Sequence, residues 1–442
     1  MSILSMLDKG HSVADSGFNR WLIPPAALAI HLSIGQAYAF SVFNAPLNKA
    51  YGWSIPDLGW IFSIAIVCLG LSAAIGGKWL ERDGPRAAMF LAALCFGGGF
   101  LVSAIGLQTH QLWLLYVGYG ALGGVGLGLG YISPVSTLIK WFPDRRGMAT
   151  GMAIMGFGGG AMIGAPLAVM LMDKFKGPDH PGIIEAFVIM GTLYTLAMLI
   201  GAFAVRVPAE GWKPEGFEPK PVADKLANTS YVHVDEVHKT PQFWLLWAVL
   251  CLNVTAGIGV LGQASLMIQE VFKGSIAAAA AAGFVGLLSI FNMGGRFAWS
   301  SLSDKIGRKA TYMVFFALGA VLYALVPTAG AMGSVPLFVL LYALILSMYG
   351  GGFATIPAYL SDLFGTRFVG AIHGRLLTAW SLAGVLGPVI VNYMRDYQLA
   401  HGVAKAQAYN TTMYVMAGLL VLGFICNACV KQVGAHHIQS EA

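Results

Sequence analysis

Twelve apolar stretches, each about 20 residues long, constrain what this chain can fold into more than any other feature of its sequence. Each can cross a hydrocarbon core of roughly 30 Å as a helix. An unpaired backbone amide in lipid costs several kcal/mol, so a helix is the expected form of every stretch. Their approximate bounds are 21–44, 58–77, 87–107, 112–139, 148–171, 184–206, 243–268, 279–301, 310–328, 335–360, 369–392 and 407–430. We therefore predict an all-α membrane protein with twelve transmembrane helices.

Charged residues are scarce, at 10% of the 442 residues, whereas 57% are hydrophobic. A soluble domain carries roughly 25% charged residues because its surface faces water. Most of this chain's surface must instead face a lipid bilayer. The five cysteines all fall inside the apolar stretches, where we expect them to pack without forming disulfides. We predict no metal site, no cofactor and no enzymatic activity, because the apolar stretches hold no paired carboxylates, metal-ligand cluster or activated nucleophile.

The distribution of positive charge predicts the topology. When loops are assigned alternately to the two sides, 19 of the 26 Lys and Arg residues fall on the side that carries both termini. Six fall on the other side, namely Lys49, Lys174, Lys176, Lys273, Arg395 and Lys405. Positively charged loops stay in the cytoplasm, so both termini are predicted to be cytoplasmic in a multi-pass protein of the cell inner membrane. The net charge of +6 is therefore explained by the topology, and we expect no nucleic-acid partner.

A polar stretch from about 207 to 241 divides the apolar stretches into two sets of six. We predict an N-terminal tail (1–20) with no cleaved signal peptide, a first six-helix bundle (21–206), a cytoplasmic linker (207–241), a second bundle (242–430) and a C-terminal tail (431–442). We expect a monomer.

The two sets repeat one another with a constant offset of 223 residues. Glu81, in the loop after the second stretch, corresponds to Asp304 after the eighth. Four further pairs share the offset: Pro134 and Pro357, Gly147 and Gly370, Gly151 and Gly374, and Gly164 and Gly387. One offset in separate regions indicates a duplicated six-helix unit, and hence two pseudo-symmetric bundles.

The loops around Glu81 and Asp304 carry a first resemblance. Their pattern, Gly-x-x-x-acid-x-x-Gly-x-basic, resembles the signature loop of the major facilitator superfamily. The resemblance implies the major facilitator fold, with acids that cap or pair with a neighbouring helix end in one conformation and basic residues that hold the loop at the cytoplasmic face. The gating residues it implies are Glu81, Arg82, Arg86, Asp304 and Arg308. Glu81 replaces the usual Asp, Pro85 interrupts the first copy and Ser300 replaces a Gly in the second.

Four further motifs carry a finer resemblance. They are Gly35-Gln-Ala-Tyr38-Ala-Phe-Ser-Val-Phe43, Gly130-Tyr131-Ile-Ser-Pro134, Phe291-Asn292-Met-Gly-Gly-Arg296, and Thr378-Ala-Trp380 with its continuation to Pro388. Together they resemble the oxalate/formate antiporter family, which is close to the monocarboxylate porters. The resemblance implies a transporter of small organic anions.

Arg296 lies inside the eighth stretch, where a charge costs at least about 2.5–3.5 kcal/mol and usually marks a substrate path. A guanidinium can bind a carboxylate through two parallel hydrogen bonds. The alternative is that Arg296 extends to the cytoplasmic surface less than two turns away. The family resemblance favours the first interpretation, because the arginine in the eighth helix of that family binds the substrate carboxylate.

Acidic residues are missing from the centres of the apolar stretches. Asn292 lies one turn before Arg296, at a position that is commonly acidic in proton-coupled monocarboxylate porters. Exchange is therefore favoured over proton symport. His31, near the centre of the first stretch, is a possible proton carrier, although packing explains it equally well.

The remaining candidate residues concern the substrate. Oxalate-specific carriers of the family place a lysine in the eleventh helix, where this chain has Trp380, and we assign Arg375 and His373 near the start of that helix to topology. One central positive charge fits one carboxylate. We expect Tyr131, Asn292, Tyr38 or Gln36, Tyr349 and Trp380 to complete the binding site; Tyr38 and Gln36 face different directions on a helix.

We therefore predict a secondary active transporter of a monocarboxylate such as lactate, pyruvate or formate. It would work by alternating access, with Arg296 binding the carboxylate. The alternatives are an antiporter of oxalate or another dicarboxylate, a proton-coupled monocarboxylate symporter and, more remotely, a membrane sensor of organic acids that transports nothing.

Overall fold

The computed structural model describes residues 6–177, 181–217, 230–261, 263–272 and 275–440. Eleven helices in these ranges are long and apolar enough to cross a membrane. A further 29-residue helix, Ala278–Ile306, occupies the place of the eighth predicted stretch. Lys273 and parts of the predicted tails and linker (1–5, 218–229 and 441–442) lie outside the described residues.

The long helices are numbered α1 to α12 in chain order. They are α1 Arg20–Phe43, α2 Ile55–Asp83, α3 Pro85–Gln108, α4 Leu112–Trp141, α5 Arg146–Phe175, α6 Ile183–Ala204, α7 Pro241–Leu261, α8 Ala278–Ile306, α9 Arg308–Ala331, α10 Val335–Phe364, α11 Val369–Ala400 and α12 Lys405–Cys429. Short helices are Lys9–Ser12, Asn44–Tyr51 and Ala264–Val271, and single 3-10 turns are Val237–Lys239 and Ala435–His437. The prediction of twelve membrane helices is confirmed.

Two of these helices depart from regular α geometry. In α1, the α-helix Ile23–Ile34 continues as a 3-10 helix, Gly35–Phe43. In α4, a π-helical segment, Tyr116–Leu122, precedes the α-helix Gly123–Trp141. A 3-10 helix has 3.0 residues per turn instead of 3.6, so the faces of α1 change at Gly35.

The outer surface of the molecule is apolar. Ile75 exposes 79% of its surface and Ile200 exposes 71%. Isoleucine side chains exposed to this extent on membrane-spanning helices face hydrocarbon, because water would penalise them. Polar side chains instead gather between the helices.

The duplicated loops have the same backbone geometry. Gly84 has φ 94° and ψ 163°, and Gly307 has φ 90° and ψ 152°. Glycine alone adopts this region readily. The two residues are 223 positions apart (307 − 84 = 223), so the sequence repeat is also a structural repeat. We name the end of the molecule that carries these two loops the terminal face.

The described parts of both tails and of the linker lie on the terminal face. A two-stranded antiparallel sheet joins β1, Ser230–Val232 of the linker, to β2, Ile438–Ser440 of the C-terminal tail. Val13 of the N-terminal tail pairs with Val207, just after α6. The buried Arg86 side chain donates to the backbone oxygens of His11 and Val205, and so ties the tail to the first bundle.

Small residues bring the two bundles together at two equivalent places. A Cβ on Gly151 of α5 would lie 2.1 Å from Ser300 Oγ of α8, and one on Gly374 of α11 would lie 2.1 Å from the Ala73 backbone oxygen of α2. Neither helix pair could approach this closely with a larger residue. These two contacts close the bundles around the polar groups at the centre.

Candidate substrate site

Arg296 lies between the two bundles and is 0% exposed. Its Nε donates to Asn292 Oδ1 at 3.0 Å, and its Nη1 donates to the Ile154 backbone oxygen of α5 at 3.3 Å. Its Nη2 has no hydrogen-bond partner, and no carboxylate oxygen of the described residues lies within 4.0 Å of the guanidinium. The side chain reaches neither water nor lipid, so the interpretation that it extends to the surface is wrong.

Aromatic rings from both bundles flank this guanidinium. Its central carbon lies 5.6 Å from the ring centre of Phe157 in α5 and 5.2 Å from that of Phe353 in α10. Gly158 leaves room for the side chain, since a Cβ there would lie 3.1 Å from Arg296 Nε. A desolvated cation gains about 2 kcal/mol from such a ring. The rings hold the arginine in place and leave Nη2 without a hydrogen-bond acceptor.

Two tyrosines connect the bundles beside Arg296. The hydroxyls of Tyr38 in α1 and Tyr349 in α10 are 3.4 Å apart. Tyr38 and Tyr131 of α4 both lie close enough to Arg296 to interact with its charge. The buried Tyr131 hydroxyl makes no hydrogen bond to the protein. The structure thus gathers three of the predicted tyrosines around the arginine.

Trp380 closes one side of this group. Its ring centre lies 4.4 Å from Phe353, 5.4 Å from Phe157 and 5.4 Å from Tyr131. The indole Nε1, a donor only, is buried without a partner. A buried donor without a partner costs about 1–3 kcal/mol. A bound ligand that accepts a hydrogen bond from this nitrogen would remove that cost.

Two histidine rings pack against Tyr131 from opposite bundles. His31 of α1 lies 5.4 Å from it and His373 of α11 lies 5.8 Å from it. The His31 Nδ1 lies 3.3 Å from the Ala27 backbone oxygen, but its Nε2 has no partner, and neither ring nitrogen of His373 has one. His373, which the sequence analysis assigned to topology, thus lies beside Tyr131, one turn inside α11. Its spacing of seven residues from Trp380, two helical turns, was the available signal.

Gln36 lies apart from these residues. Its Oε1 accepts a hydrogen bond of 2.9 Å from Tyr119, inside the first bundle. Of the two candidates in α1, Tyr38 therefore lies beside Arg296 and Gln36 does not. We refer to the gathered residues as the central cluster; its members are Arg296, Asn292, Tyr131, Tyr38, Tyr349, Trp380, His31 and His373.

The central cluster is polar, closed to solvent on most sides and positively charged. No acidic side chain of the described residues makes a hydrogen bond or ion pair with any of its members. The same part of the chain holds no group of three or more His, Cys, Asp or Glu residues that could bind a metal ion. An arrangement of one guanidinium and several unpartnered donors suits an anion, which would accept their hydrogen bonds.

Comparison with known families and structures identifies the family of this chain. The family model of the Major Facilitator Superfamily matches residues 26–388. This chain belongs to the Major Facilitator Superfamily. The oxalate:formate antiporter of Oxalobacter formigenes is 30% identical over 371 residues, which cover 84% of this chain and 83% of the antiporter. The predicted membership in the oxalate/formate antiporter family is thereby confirmed.

Two further comparisons are more distant. The apicoplast pyruvate carrier 1 of Toxoplasma gondii is 26% identical over 388 residues, which cover 75% of this chain and 68% of the carrier. The fucose:proton symporter of E. coli superposes with a TM-score of 0.66 at 14% identity, and covers 94% of this chain and 100% of the symporter. The second likeness concerns the fold alone. The protein is a multi-pass membrane transporter.

The two superfamily signature loops join the bundles on the terminal face. Asp304 accepts hydrogen bonds from the backbone amides of Gly147 and Met148, at the start of α5, at 2.9 and 2.8 Å. Glu81 accepts one from the Gly370 amide, at the start of α11, at 2.9 Å. Each acid therefore caps a helix of the other bundle, where the helix dipole favours negative charge. The terminal face is closed.

The basic residues of the signature loops have separate roles. Arg308 is buried and donates to Asp304 at 2.5 Å and to Asp362 of α10 at 3.2 Å. Arg146 of α5 donates to the same Asp362 at 3.1 Å. Arg82 is exposed and pairs with its neighbour Asp83. Of these basic residues, Arg308 and Arg146 lie at the bundle interface.

Proposed function

We propose that this protein carries small monocarboxylates, such as lactate, pyruvate or formate, across the membrane by alternating access. Arg296 binds the carboxylate, with Tyr38, Tyr131 and Tyr349 beside it. The observation that carries the proposal is a buried guanidinium at the bundle interface that has no carboxylate partner in the described residues. Removing a charge from water costs several kcal/mol, and a bound anion compensates that cost.

The same charge supports exchange over unidirectional transport. When an anion pairs with Arg296, the closed state is stabilised and the bundles can rock past each other. Without an anion, closing the bundles buries an unpaired charge, which disfavours the return step. By its name, the oxalate:formate antiporter among the relatives exchanges one carboxylate for another. The name of the pyruvate carrier supports a monocarboxylate as the substrate.

Two alternatives have specific support. The name of the oxalate:formate antiporter favours oxalate or another dicarboxylate as a substrate. The buried His31, with Nε2 unpartnered, favours proton-coupled symport, because an imidazole can carry a proton. A pH gradient across proteoliposomes drives net uptake in the second case and leaves one-for-one exchange unchanged.

Counterflow in proteoliposomes tests the proposal. Vesicles are preloaded with one acid and challenged with labelled formate, acetate, lactate, pyruvate and oxalate. The wild type should accumulate monocarboxylates, and Arg296→Gln should not. Lys239→Gln, which removes an exposed linker charge, is the matched control and should transport as the wild type does. Near-normal counterflow by Arg296→Gln would overturn the proposal. Binding without any counterflow would point to a sensor instead.

A further inference from the structure

Besides Arg296, three buried side chains of the central cluster have nitrogen atoms without a hydrogen-bond partner. His31 Nε2, both ring nitrogens of His373, and Trp380 Nε1 have no hydrogen-bond partner in the protein. All three residues pack against the ring of Tyr131, at 5.4, 5.8 and 5.4 Å. Buried polar groups are nearly always hydrogen-bonded, so four unpartnered nitrogens around one ring call for an explanation.

Packing alone does not account for this group. Two of the side chains come from α11 in the second bundle and one from α1 in the first, so they meet only when the bundles close. A phenylalanine or leucine would fill the same space around Tyr131 without leaving any donor unsatisfied. His373 is the sharpest case, because it is 1% exposed and neither of its ring nitrogens bonds to the protein.

The chemistry of the three side chains restricts what they can bind. The indole Nε1 only donates, and a neutral imidazole both donates and accepts. Their common partner is therefore an oxygen acceptor, such as a carbonyl, hydroxyl or carboxylate oxygen. No acidic side chain of the described residues makes a hydrogen bond or ion pair with them, so the protein itself supplies no such oxygen from a carboxylate.

We propose that His31, His373 and Trp380 form a second recognition site, which binds the oxygen-bearing group at the end of the substrate away from Arg296. The inference rests on the proposed function and names the substrate class: short acids with a second oxygen function, namely 2-oxo acids, 2-hydroxy acids and oxalate. Acids without that function bind through Arg296 alone. The second site makes the transporter selective among carboxylates that the arginine cannot distinguish.

A pair of isosteric ligands tests the proposal. Pyruvate and propionate differ in one carbonyl in place of one methylene. Each is used to inhibit counterflow of labelled pyruvate by the wild type, by His373→Leu and by His373→Gln. In His373→Leu we expect the inhibitory concentration of pyruvate to rise about tenfold or more and that of propionate to stay within about twofold. His373→Gln keeps a donor and an acceptor and should recover part of the pyruvate affinity.

His401→Gln is the control, because this histidine lies at the other end of α11 and is exposed. Equal losses for both acids in His373→Leu, or no loss for either, would overturn the second site and leave the role of Arg296 intact. Wild-type counterflow that neither acid inhibits would overturn the proposed function and, with it, this inference. The two hypotheses can fail separately. If Arg296→Gln loses transport but His373→Leu leaves the ratio of the inhibitory concentrations of pyruvate and propionate unchanged, the proposed function stands and the second site is overturned.

Discussion

Arg296 and the arginines of the terminal face are all buried between the bundles, but their partners differ. Arg146 and Arg308, 7% and 4% exposed, share the carboxylate of Asp362, and Arg308 also contacts Asp304. Arg296 is 0% exposed and has only neutral partners. Charges that hold a closed state together are compensated by the protein. In the proposed function, the charge of Arg296 is left for the bound substrate to compensate.

The terminal face shows a second contrast, between its two halves. The buried Arg308, Asp362 and Arg146 form one network with the partly exposed Asp304. The positions 223 residues away are Glu81, Pro85, Ile139 and Val369, so the acid alone is retained. Glu81 pairs instead with Lys140 of its own bundle at 2.6 Å. The closed state therefore depends more on the interface of α5 with α8 and α10 than on that of α11 with α2.

The largest expected effect follows from removing the shared carboxylate. Asp362→Asn leaves the buried Arg146 and Arg308 without that anion, and we expect a loss of about 3–5 kcal/mol of stability. Thermal unfolding in detergent measures this loss. Asp396→Asn, which changes an exposed carboxylate paired with Arg395, should unfold close to the wild type. Equal midpoints for the two variants would contradict the assignment of the network to stability.

At the central cluster, removing a charge is expected to change stability in the opposite direction. Arg296→Gln removes an unpaired buried charge, so the protein without substrate should keep its unfolding temperature or gain up to about 1–3 kcal/mol of stability. Transport should nevertheless be lost. A midpoint as low as that of Asp362→Asn would show that Arg296 is also a structural charge, and the contrast between the two regions would fail.

Replacing Asp304 should destabilise the closed terminal face more than replacing Glu81. Asp304→Asn weakens two backbone hydrogen bonds and the contact with Arg308, and we expect a cost of about 1.5–3 kcal/mol, against roughly 1–2 kcal/mol for Glu81→Gln. Spin labels at the exposed positions 82 and 305, in a cysteine-free background, report the distance between the bundles. The long-distance population should increase more in Asp304→Asn. A larger increase in Glu81→Gln would reverse the ranking of the two halves.

The smallest effect is expected in the linker. Asp235 pairs with Lys78 of the first bundle and Arg375 of the second, and these two hydrogen-bonded cations lower the pKa of Asp235 from 3.8 to about 2. A depressed carboxyl pKa means that the contribution is complete above about pH 4 and is lost as the pH falls toward 2. Asp235 is half exposed, so Asp235→Asn should cost less than about 1 kcal/mol, and added salt should reduce the difference. A loss that salt does not change would contradict a surface contact.

Hydropathy and the repeat were sufficient to predict the twelve helices and the two bundles from the sequence. Arg296 could be identified because a charge within an apolar stretch is conspicuous. The network of Arg146 and Asp362 could not, because these residues are 216 positions apart and each resembles an ordinary charge at a helix end. The position of His373 beside Tyr131 likewise depends on a contact between the two bundles. The choice between Gln36 and Tyr38 depends on which face of the 3-10 segment meets the second bundle, and that contact is set by tertiary packing.

The central claim is that the Arg296 guanidinium binds the substrate carboxylate, and ligand-induced stabilisation tests it most directly. A ligand at 100 times its dissociation constant stabilises the folded state by about 2.7 kcal/mol, and the unfolding temperature rises accordingly. Pyruvate should raise the unfolding temperature of the wild type in a concentration-dependent way and leave that of Arg296→Gln unchanged. Equal stabilisation of both proteins by pyruvate would contradict the claim.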